Sequence, residues 1–118
     1  ERIDTDTDQL RWARGYDHTY ILDKELGKLA IASRCSSPKT GIVMEVYTDQ
    51  PGVQLYTGNW MSGNLRGKHD HRYPARAALC LETQHYPDSP NKPEYPSTRL
   101  NPGETFRSTT IFRFTLEA

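Results

Sequence analysis

The 118-residue sequence has no excess of either charge: fifteen Lys and Arg face fifteen Asp and Glu. Nonspecific nucleic-acid binding needs a basic surface that displaces counterions, so this balance argues against it. A polybasic membrane anchor is disfavoured on the same ground. Long hydrophobic runs are also missing; the apolar stretches are a few residues long, against the roughly 20 that span a bilayer as a helix. Cysteine is scarce: Cys35 and Cys80 permit one disulfide at most and leave the compartment open between cytoplasmic and periplasmic or secreted. No window carries sustained helical periodicity. Neither a G-x-S-x-G elbow nor a phosphate-binding glycine loop is present, so nucleophilic serine chemistry and nucleotide binding have no local support. The sequence opens at Glu1 with no initiator Met, charged n-region or apolar h-region, which leads us to expect a processed product or a fragment.

What is present points to a folded β domain. Seven Tyr, three Phe and two Trp accompany apolar residues grouped into short runs, a composition unlike that of a disordered chain. The length fits one domain, expected to span residues 1–118 and to bury roughly two-thirds of its unfolded surface if every strand finds a partner within the chain. Strands are expected at His18 to Leu22, Lys28 to Cys35, Ile42 to Thr48, Val53 to Tyr56, Ala77 to Thr83 and Thr109 to Leu116. The second and third, joined across Ser36-Ser37-Pro38-Lys39-Thr40-Gly41, read as a hairpin. The first dozen residues read as polar and irregular, and residues 61–76, with their glycines and Pro74, as a loop. Pro87, Pro90, Pro93, Pro96 and Pro102 exclude a helix or a central strand from the late loop. The class is all-β and antiparallel with long loops.

Several segments carry chemistry. Glu82 ends the apolar run Leu79-Cys80-Leu81 just before the proline-rich loop. Alternation could send it to solvent, but its strand reads as buried on both faces, and a carboxylate at a strand end beside a rigid loop suits general-base work. In Gly15-Tyr16-Asp17-His18, Asp17 can accept hydrogen bonds from two vicinal hydroxyls; the plainer reading is a turn cap. Gln54, Tyr56, Asn59 and Trp60 are residue types that hold sugars, amides for hydroxyls and aromatic faces for the apolar side of a pyranose. Metal is not expected. Asp4, Asp6 and Asp8 imitate a calcium loop but place Gln9 and Gly15 where Gly and Glu are needed. His69-Asp70-His71 lacks the third and fourth ligands of a zinc site.

Read in order, Gly15-Tyr16-Asp17-His18, Met44-Glu45-Val46-Tyr47-Thr48, the run from Pro51 to Trp60, Leu81-Glu82-Thr83-Gln84 with Pro87-Asp88-Ser89-Pro90-Asn91, and Leu100-Asn101-Pro102-Gly103-Glu104 resemble the C-terminal third of the aldose 1-epimerase (galactose mutarotase) family. The resemblance implies an antiparallel β-sandwich of the galactose-mutarotase type, of which this chain is a C-terminal portion. It implies interconversion of the α and β anomers of free aldohexoses such as galactose and glucose, with no cofactor. It assigns Glu82 as the catalytic base and Asp17 and Gln54 as substrate-binding residues.

The family's acid, a histidine, lies upstream of the Gly15 motif, and none of His18, His69, His71 and His85 occupies its motif. The chain is therefore expected to supply the base, to be poorly active alone, and to have the missing N-terminal part of the same fold as its partner, with no nucleic acid or membrane involved. A non-catalytic carbohydrate-binding β-sandwich module is the main alternative. An epimerase for phosphorylated sugars, using Arg66, Lys68 and Arg72, is a weaker one.

Overall fold

The computed structural model describes residues 2–117. Among these residues the elements are a short helix α1 (Asp8–Ala13) and the strands β1 (Asp17–Ile21), β2 (Ala30–Ser36), β3 (Ile42–Thr48), β4 (Gly52–Tyr56), β5 (Ser62–Arg66), β6 (Arg72–Pro74), β7 (Cys80–Gln84) and β8 (Thr110–Leu116). No helix among them is long and apolar enough to cross a membrane. The chain packs as two compact units, one of Glu1–Tyr20 with Gln54–Glu82 and the other of Ile21–Val53 with Thr83–Ala118.

The second unit is built on the sheet β2-β3-β8, antiparallel throughout. β3 lies in the middle because its β-branched residues suit a strand covered on both sides. Its pairing with β8 runs in register from Ile42↔Leu116 to Thr48↔Thr110, while β2 pairs with it through an irregularity between Ile31 and Ser33. Val43 and Val46 are buried, and so is the Thr48 hydroxyl, which donates to the Thr109 carbonyl at 3.2 Å. Cross-strand charge supports the β3-β8 register: Glu45 lies opposite Arg113, which donates to its carboxylate at 3.4 Å, and the same carboxylate accepts from the Tyr47 hydroxyl at 3.0 Å. The proline-rich loop contains only one 3₁₀ turn, Ser89–Asn91. It is tied by the Ser89 hydroxyl donating to the Tyr86 carbonyl at 2.6 Å and by an edge-on Tyr86–Tyr95 contact.

The first unit holds residues 17–20 of β1, 54–56 of β4 and 80–82 of β7, strands whose order in the sheet is β1-β4-β7. It also holds the antiparallel hairpin β5-β6. Two expectations are corrected here. The opening segment is not wholly irregular: α1 forms, closed by Arg14 in the left-handed conformation, and an Arg11–Asp8 ion pair braces its exposed side. Residues 61–76 are not simply a loop, because β5 and β6 pair around a turn centred on Lys68–Asp70.

A third correction concerns burial. β7 is not covered on both faces: Leu79 is 47% exposed, and Cys80 and Glu82 are exposed as well. Among the described residues β7 pairs on one side only, and the exposure of its side chains leaves the covering that the apolar run implied incomplete. β8 has the same deficit, with every residue exposed. The buried apolar side chains are Val43, Val46 and Val53, so the described residues do not complete the expected core.

Candidate functional site

The site begins at a glycine. Gly15 is buried with a φ of +147°, a conformation that residues with a Cβ rarely adopt. A Cβ at this position would overlap Asn59 Oδ1 and come within 2.9 Å of Thr57 Oγ1. The space is taken by a polar clamp on the next residue. The Tyr16 amide donates to the Thr57 hydroxyl at 3.0 Å, and that hydroxyl donates to Asn59 Oδ1 at 2.6 Å. The Asn59 amide nitrogen donates to the Tyr16 carbonyl at 2.8 Å, as does the Thr57 backbone N–H at 3.1 Å. With Asn59 only 5% exposed, these bonds are shielded from water and fix where β1 starts.

β1 starts at Asp17. Its backbone N–H donates to His18 Nδ1 at 2.9 Å. The His18 ring packs edge-on to Tyr16, with centroids 5.5 Å apart. The Asp17 side chain is exposed and accepts a hydrogen bond from Gln54 Nε2 at 2.7 Å. Gln54, half-buried on β4, in turn accepts at Oε1 from the Thr19 hydroxyl. Two of the three residues singled out from the sequence are therefore in direct contact. Glu82 lies on β7, the strand on the other side of β4, and is exposed.

The other sugar-type residues divide between two tasks. Asn59 is occupied in the clamp rather than open to a ligand. The Tyr56 hydroxyl accepts from the Trp60 backbone N–H at 3.1 Å. Trp60 is 56% exposed, and the Arg14 guanidinium lies 4.5 Å over its ring. Thr19 and Thr57 were not singled out from sequence. Position offered one signal: Thr19 is two residues from Asp17 on a strand and so shares its face.

His69 and Asp70 lie in the β5-β6 turn with positive φ, and Arg66 forms a two-pronged ion pair with Asp70 at 2.6 and 2.7 Å. That pairing takes one cation out of the proposed phosphate cluster. Among the described residues no three His, Cys, Asp or Glu side chains converge as metal ligands. Cys35 and Cys80 are free thiols. In the N-terminal segment, Arg76 donates to Asp4 at 2.6 Å, and this hydrogen bond and its charge hold the Asp4 carboxyl below the ordinary carboxylate range.

The fold and its relatives agree. The crystal structure of an aldose epimerase homologue from C. elegans superposes with a TM-score of 0.75 at 26% identity, covering 86% of this chain and 30% of that one. Galactose mutarotase of Mus musculus is 46% identical over 102 residues, covering 86% of this chain and 30% of that protein. Aldose 1-epimerase of Escherichia coli (strain K12) is 35% identical over 113 residues, covering 93% of this chain and 32% of that protein. Residues 1–113 match the family model for aldose 1-epimerase. The fold is thus the all-β fold of the aldose epimerases, and the chain belongs to the aldose 1-epimerase family. It spans about a third of the length of the curated relatives it matches.

Proposed function

We propose that this chain is a C-terminal portion of an aldose 1-epimerase and supplies the base and two substrate-binding residues of a site that interconverts the α and β anomers of free aldohexoses such as galactose and glucose. The observation that carries this reading is the 2.7 Å hydrogen bond from Gln54 to Asp17, made on the strand that lies between β1 and the Glu82 strand. Asp17 accepts from sugar hydroxyls, and Gln54 has a second N–H to donate to one. Glu82 takes the proton from the anomeric hydroxyl while an acid protonates the ring oxygen. The ring opens to the aldehyde, the C1–C2 bond rotates, and closure on the other face returns both protons and gives the other anomer. A positioned carboxylate contributes typically about 10²–10⁴-fold to such a step.

The acid, in this reading, comes from the rest of the fold, which also covers the open side chains of β7 and β8. The exposure of Phe112, Phe114 and Leu116, at 50%, 64% and 78%, supports such a partner, because apolar strand faces of this size are seldom left in water.

The test is polarimetry of fresh α-D-galactose with the chain completed by the rest of the fold, as Glu82 and as Glu82→Gln. A large loss of rate with sugar binding retained is expected. Sugar binding without any anomerisation in the unmutated protein would instead favour the carbohydrate-binding module.

A further inference from the structure

We propose that Thr19 is a positioning residue that fixes the Gln54 carboxamide as a hydrogen-bond donor toward the sugar; this rests on reading Asp17 and Gln54 as sugar-binding residues. A carboxamide presents two different ends, an acceptor oxygen and a donor nitrogen, and its terminal torsion is broad and roughly two-fold. Its orientation must therefore be set from outside.

Asp17 and Thr19 are two residues apart on β1 and share a face. Gln54 reaches both from β4. The Thr19 hydroxyl donates to Oε1, and Nε2 donates to Asp17 Oδ1 at 2.7 Å. An ionised carboxylate only accepts, so the Asp17 bond alone holds the nitrogen in place while Asp17 is free of ligand. A sugar hydroxyl that donates to Asp17 competes with that bond. Thr19 is then the group that keeps Oε1 turned away. With Thr19 engaged, the pair offers carboxylate lone pairs and one remaining N–H, which matches a hydroxyl that donates to Asp17 and accepts from Gln54. Were the amide to turn, Oε1 would face the carboxylate and the site would offer acceptors only. The Thr19 hydroxyl thus sets the polarity of the pair.

The test reads the Gln54 side-chain amide signal by ¹⁵N NMR on the 118-residue chain, with the signal identified by its loss in Gln54→Leu. Thr19→Val keeps the shape and removes the donor; it is expected to shift the signal and speed exchange of its protons, and Thr19→Ser is expected to restore both. A Gln54 signal unchanged in Thr19→Val would overturn the proposal. The unmutated chain gives a reading that does not depend on any variant folding. The Thr19 hydroxyl proton should exchange slowly and show a cross-relaxation peak to Gln54, and a freely exchanging hydroxyl with no such peak counts against the proposal. In the completed protein, galactose binding should weaken about fivefold in Thr19→Val, the effect of one neutral hydrogen bond. Should the completed, unmutated protein bind no sugar, the functional reading fails, while the amide signal still decides the role of Thr19.

Discussion

β3 and β8 are both seven-residue strands, paired with each other in register along their whole length, yet they end in opposite environments. Val43 and Val46 of β3 are 2% and 0% exposed, whereas Phe112 and Phe114 of β8 are 50% and 64% exposed. The difference is not in β-propensity, which is high in both. β3 has a strand on each side, whereas among the described residues β8 has one strand beside it and its side chains stand in solvent. Backbone pairing is two-sided for β3 and one-sided for β8, and side-chain burial follows the same order. The candidate site is divided as well. Asp17 and Gln54 are held by a local network that the chain completes by itself. Glu82 is exposed, as Asp17 is, but it lies on the strand on the other side of β4, outside the Asp17–Gln54–Thr19 network.

The largest effect expected from this division is catalytic. In the completed protein, Glu82→Gln should slow anomerisation by about 10²–10⁴-fold and leave galactose binding nearly unchanged, as measured by polarimetry alongside calorimetric titration. A parallel loss of binding would place Glu82 with Asp17 and Gln54 instead of apart from them. Next comes Gly15→Ala, which forces a Cβ into Asn59 and a left-handed φ on alanine. It should lower stability by at least about 2 kcal/mol in denaturant melts, and an unchanged midpoint would mean that the clamp is loose.

The strands themselves can be set against each other. Val46→Ala should destabilise the chain by about 2 kcal/mol, for the lost methyl groups and the cavity. Phe114→Ala, although it deletes more atoms, should change the chain's stability by less than about 0.5 kcal/mol while weakening its association with the rest of the fold. Equal effects of the two on the isolated chain would erase the contrast. The smallest effect concerns Asp4. Its folded-state pKa is depressed by Arg76, so the stability it contributes is present above the unfolded value and lost as pH falls through the folded one, below about pH 4. Both groups are exposed, so the effect should be slight, screened by salt, and absent in Asp4→Asn; a melt series from pH 5 to pH 2.5 reads it.

Much of the fold was legible because alternation survives in strands that are half covered. Ile42 to Thr48 is a strand to the residue, and the late loop is as free of long elements as its prolines required. The misses share a cause. α1 is six residues long, too short for a periodic signal, and exists through its left-handed cap at Arg14. The β5-β6 hairpin has little apolar content to mark it and is shaped by turn geometry at His69 and Asp70. The burial expected of β7 failed for a different reason: an apolar run reports the need for a covering layer, not its presence in the same chain. In the site, Asp17 and Gln54 were chosen from residue type and family resemblance, and the contact between them needed the sheet order β1-β4-β7. Thr57 and Asn59 gave no sign from sequence that their polar groups were turned to the backbone of Tyr16.

The most direct measurement is polarimetry of fresh α-D-galactose with this chain alone, and then with the complementary part of the fold supplied. The account predicts a rate near the spontaneous one for the chain alone and a marked enhancement, dependent on Glu82, once the complement is added. Full activity of the chain alone would contradict it, because one of its own histidines would then be the acid.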